Sequence, residues 1–89
     1  MSVPGKKVIR AAFYDRLRMA FFSYLKNVPL LKDWQFTQLM TLSQSIINAK
    51  ITEINSFLDS QNFTLKQTDE AINIIIKDYL APEIDNIRL

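Results

Sequence analysis

Apolar residues recur every three to four positions in three successive stretches of this chain, and polar or proline-containing breaks separate the stretches. That spacing places apolar side chains on one face of an α-helix. Over residues 8–27, Ile9, Phe13, Leu17, Ala20, Phe21, Tyr24 and Leu25 share one broad face, which predicts a first helix. Arg16 and Arg18 flank this face, while Met19 and Phe22 fall on its wet side. Pro29 ends the helix, because its ring pushes Val28 out of the α region.

A second, longer helix is predicted over residues 33–58, with Asp33 as N-cap. Phe36, Met40, Ile47, Ile51, Ile54 and Leu58 form its main stripe, and Leu39, Ile46 and Phe57 form a ridge beside it. Two ridges require two packing partners, which places this rod at the centre of the bundle. A polar turn follows, and Thr64-Leu65-Lys66-Gln67 has the form of a capping box opening a third helix. That helix runs to about residue 80, with Leu65, Ile72, Ile75, Ile76, Tyr79 and Leu80 inward. Ala81-Pro82-Glu83 predicts a break or kink, with Ile84, Ile87 and Leu89 on a last helical turn or two.

The pattern predicts an all-α fold: a small three-helix bundle, with room for a short fourth helix at the C-terminal end. Residues 1–7 read as a flexible basic arm and residues 8–89 as a single helical domain. At ~1.5 Å per residue the second helix spans ~38 Å and the third only ~24 Å. The first helix and the C-terminal segment could cover the excess apolar ridge, and so could a second chain; the expectation adopted is that self-association completes the core.

Composition narrows the chemistry. The 89 residues suffice for one domain, and a 48% hydrophobic share argues against wholesale disorder. Cys and His are absent, so disulfides and the usual structural zinc sites are ruled out. Neutral-pH catalysis leans on those same residues, and no phosphate-cradling glycine loop or nucleophile elbow occurs. The expectation is therefore a non-catalytic module with no cofactor and no metal site. No stretch reaches the ~20 apolar residues of a transmembrane helix, and no secretory signal is recognisable. A cytoplasmic location is expected.

Charge is distributed unevenly. Residues 1–32 carry seven cations against one carboxylate, and the remainder carries four cations against eight. Such a split suits an oriented contact with an anionic partner or between subunits, or internal neutralisation within one bundle. Three surfaces emerge as candidates. Lys6, Lys7, Arg10, Arg16 and Arg18 form a basic set able to meet phosphates. Thr37, Gln38, Thr41, Ser45, Asn48, Thr52, Asn55 and Ser56 share a helix side without any charge, whereas a solvated helix normally mixes in Lys and Glu. Seven of the ten aromatics fall between positions 13 and 36, and among them Phe22 and Trp34, with Met19, lie off the main stripes, where they either anchor a partner or are covered by a second helix of the same chain.

These features point to a helical protein-interaction module, a self-associating (dimeric) adaptor or regulator of a larger complex. The alternative is a nucleic-acid-associated accessory protein that grips the phosphate backbone through its basic first helix. Docking on a membrane surface ranks last, since the bundle needs the same apolar face.

Overall fold

A computed structural model describes residues 6–60 and 68–87, with side chains from residue 9 onward. Every regular element among them is helical: α1 (Lys6–Lys26), a 3₁₀ turn (Pro29–Leu31), α2 (Phe36–Ala49), α3 (Ile51–Ser60), α4 (Thr68–Ile75), a π-helical turn (Ile76–Leu80) and α5 (Ala81–Ile84). The small all-α bundle expected from periodicity is the observed architecture. Helix α1 begins at Lys6, so the last two residues of the expected basic arm are helical. The capping box at Thr64 and Gln67, and the inward Leu65, lie outside the described residues.

One apolar core joins the elements. Phe13, Leu17, Phe21 and Leu25 line α1 at intervals of four and are almost wholly buried, as the sequence pattern requires. Leu31 plugs the core from the 3₁₀ turn, Leu39, Ile46 and Ile47 enter from α2, and Ile54 and Leu58 enter from α3. Ile72, Ile75, Ile76, Leu80 and Ile84 complete it from the C-terminal elements. Each such side chain contributes about 1.5–3 kcal/mol relative to exposure. Among the described residues, no buried side-chain N or O lacks a hydrogen-bond partner.

Contacts set the directions of the rods. Arg10 bonds Asp59 near one end of α1 while Phe22 packs on Phe36 near the other, so α1 and the α2–α3 rod run antiparallel. Lys50 pairs with Glu83 and the Phe57 ring packs tilted against Tyr79, so that rod also runs antiparallel to the C-terminal segment.

The structure corrects the sequence pattern at four places. First, α2 is capped by Gln35 rather than Asp33: the Gln35 N–H donates to Gln38 Oε1 at 2.8 Å, and Gln35 holds an extended backbone. Leu31 needs the 3₁₀ turn to reach the core, and the N–H of Trp34 closes on its carbonyl at 3.0 Å, which delays the helix start.

Second, the long helix is not continuous. Its hydrogen-bond ladder is interrupted at Lys50, where φ is −108° and ψ is 9°. The Lys50 N–H reaches both the Ile46 and Ile47 carbonyls, and regular bonding resumes with the Ile54 N–H on the Lys50 carbonyl at 2.9 Å.

Third, the buried face of the rod shifts across this bend. Phe36, Met40 and Ile51, expected on the inner stripe, are exposed, Phe36 to 64%. Tyr24 of α1 is likewise exposed rather than inward.

Fourth, the expected break or kink at Ala81–Glu83 takes the form of a π turn just before Pro82, and the helix continues through the proline. Its ring would collide with the Asp78 carbonyl in a regular α-helix, and it brings no N–H. The π turn just before it widens the helix by one residue, and the Ala81 N–H bonds the Ile76 carbonyl five residues back. The chain thereby stays helical from Thr68 to Ile84 and delivers Ile84 to the core.

Candidate interaction surfaces

The uncharged helix side becomes a groove. Trp34 lies over the start of α2, half-buried against the core, and with Thr37, Gln38, Thr41, Leu42 and Ser45 it lines an open concavity of about 440 Å³. Five of the expected contact residues thus meet at one place. Leu42 was missed by the sequence pattern, because it sits at the edge of the stripe and shows itself only once Trp34 folds beside it. Gln38 has a second duty here as the cap of α2. Asn48 and Thr52 are exposed further along the rod, outside this groove.

Asn55 belongs to a different arrangement. Its Oδ1 accepts from the Tyr14 hydroxyl at 2.7 Å and from Arg10 Nη1 at 3.0 Å, while Arg10 Nη2 reaches Asp59 Oδ1 at 2.9 Å. Asn55 and Asp59 are one helical turn apart, so the planar guanidinium bridges both. Burial raises the Tyr14 hydroxyl above its ordinary pKa of 10.0, against the opposing pull of the Arg10 and Arg18 cations. The phenol therefore remains a donor at neutral pH. This cluster ties α3 to α1 and occupies both acceptor positions of Asn55 Oδ1.

The other described cations of the basic set are also matched within the chain. Arg18 bonds Asp15 at 2.8 Å one turn back, and Arg16 approaches Asp69 at 3.6 Å in an exposed, loose pair. Side chains of Lys6 and Lys7 lie outside the description. Pairs this exposed contribute at most about 1 kcal/mol each; the Arg16–Asp69 pair joins α1 to the acidic remainder of the chain, whereas Arg18–Asp15 stays within α1.

The aromatic candidates divide as well. Phe22 is half-buried, edge-on to Phe36 at 5.1 Å between centroids, with Lys26 Nζ 5.8 Å from its ring centre. Met19 points away from the core and is 73% exposed. Among the described residues the most exposed ring is thus Phe36, which sequence periodicity assigned to the interior. A second groove, between α1 and the C-terminal rod, is lined by Ala20, Tyr24, Asn27, Asn73 and Lys77 among others, and no sequence motif marked it.

Among the described residues no group of acidic side chains is placed to hold a metal ion, and no helix is long and apolar enough to cross a membrane. No family model, curated protein or solved structure matches this chain.

Proposed function

We propose that this protein is a non-catalytic helical interaction module that self-associates and acts as an adaptor or regulator within a larger assembly. The observation that carries the proposal is the groove formed by Trp34, Thr37, Gln38, Thr41, Leu42 and Ser45, an uncharged concavity with an aromatic wall. Interface centres are depleted in charge and enriched in aromatics. Where two copies meet about a twofold axis, residues near the axis face their own counterparts. A charged face would repel itself there, and an uncharged one does not.

The phosphate-binding alternative has less support. Arg10, Arg16 and Arg18 each sit against a carboxylate of the same chain, so nucleic acid would have to displace those partners.

Sedimentation equilibrium across micromolar concentrations tests the proposal. The native chain is expected to associate, and Thr41→Lys combined with Ser45→Lys, which places like charges across a twofold contact, is expected to return it to monomer with its helix content unchanged. A native chain that stays monomeric at high micromolar concentration overturns the self-association reading.

A further inference from the structure

The bend in the middle rod has no local cause in the sequence. Residues 36–60 contain neither Gly nor Pro, the residues that ordinarily kink a helix. Yet the ladder is interrupted at Lys50, whose backbone leaves the helical region. Local preference and tertiary arrangement conflict here, and such conflicts fall at functional or strained sites.

The apolar pattern locates the conflict. Phe36 and Ile54 are 18 residues apart, as are Met40 and Leu58. At 3.6 residues per turn that is about five turns, so in a straight helix each pair lies on one line. In the structure Ile54 and Leu58 are buried while Phe36 and Met40 are exposed. Across Lys50 the buried set passes from Leu39, Ser43, Ile46 and Ile47 in α2 to Ile54 and Leu58 in α3, while Ile51, the first residue of α3, is exposed.

One contact spans the bend and the neighbouring rod. Lys50 Nζ meets Glu83 Oε1 at 2.9 Å, both side chains about two-thirds covered. Glu83 lies on α5, beyond the π turn, so two irregular points of the fold are joined by this pair. Glu53, one turn further along α3, is the other acidic group acting on Lys50, and Asn86 also bonds Glu83.

We propose that Lys50 is a hinge, latched by its ion pair with Glu83, about which α2 and α3 exchange between the bent arrangement and one straight helix over residues 36–60. Opening the latch lets the uninterrupted helical preference of the segment assert itself. It also returns Phe36, Met40 and Ile51 to a common stripe with Ile47, Ile54 and Leu58. The hinge depends on the bend alone and stands apart from the proposed groove contact.

Because the chain has no cysteine, Gln44→Cys and Ser60→Cys place spin labels on exposed positions either side of the hinge. A straight helix separates those two backbone sites by ~24 Å at ~1.5 Å per residue. Dipolar spectroscopy on the dilute full-length chain is expected to give a single, shorter distance with the latch intact. Lys50→Ala or Glu83→Gln is expected to raise the population at the longer distance several-fold, with the far-UV helix signal retained. If K50A fails to fold, the near-isosteric E83Q removes the same pair and decides the matter. A folded E83Q protein with the native distance distribution overturns the hinge, as does a native distribution already centred on the straight-helix distance.

Discussion

The two halves of the middle rod share one sequence periodicity and are used differently. Helix α2 meets α1 through apolar side chains, with Leu39, Ile46 and Ile47 inward, and leaves Phe36 exposed, edge-on to Phe22 at the surface. Helix α3 buries Ile54 and Leu58 and adds a polar fork, Arg10 and Tyr14 on Asn55 and Asp59. Position on a helical wheel therefore does not settle burial in this protein. What settles it is which neighbour stands opposite after the bend at Lys50.

The sharpest way to break this comparison is to truncate two residues of the same helical phase. Ile54→Ala is expected to cost about 2–5 kcal/mol in urea unfolding, as a fully buried aliphatic chain loses its contacts and leaves a cavity. Phe36→Ala is expected to cost about 1 kcal/mol, the scale of one surface aromatic pair. Equal costs would mean that the rod is straight in solution.

Asn55→Ala ranks next. It strips the acceptor from the Tyr14 hydroxyl and from one arm of Arg10, and about 1–3 kcal/mol should be lost. Adding Tyr14→Phe removes the orphaned hydroxyl and is expected to restore part of that loss, so the double variant is more stable than the sum of single effects implies.

A smaller effect follows from the latch. The Lys50 ammonium, through its hydrogen bond and charge, holds the Glu83 carboxyl below its ordinary value of 4.5, and Glu83 in turn raises Lys50 above 10.5. A carboxyl whose folded pKa is depressed contributes stability above its unfolded value and loses it as pH falls through the folded one. A cation with a raised pKa contributes below its unfolded value and loses that stability as pH rises through the raised one. Thermal melts should thus show a modest plateau that declines below about pH 4.5 and again above about pH 10.5. E83Q is expected to remove this contribution at both edges.

Smallest in stability are the groove variants. Thr41→Lys and Ser45→Lys are expected to stay within about 0.5 kcal/mol of the native chain, since both sites are exposed. Their effect should appear in association instead. A large loss of stability in either would assign this face to the fold rather than to a contact.

Much of the site is legible in the sequence. The uncharged run from Thr37 to Ser45 and the off-stripe Trp34 are matters of residue type and spacing, and they meet in one groove. Asn55 was grouped with them because it shares their side of the wheel. Only the approach of Arg10 and Tyr14 from residues more than forty positions away gives it a different role. Phe36 was misplaced for a similar reason, since periodicity assumes a straight axis.

The sequence by itself determined that the chain is helical, where its polar breaks fall and which face of α1 turns inward, because these follow from short-range preference and a 3.6-residue repeat. The tertiary structure alone decided the bend at Lys50, the π turn that carries the helix through Pro82, and the partners of Arg10 and Asn55. Each of these depends on what lies opposite in space, and a one-dimensional pattern contains no measure of that.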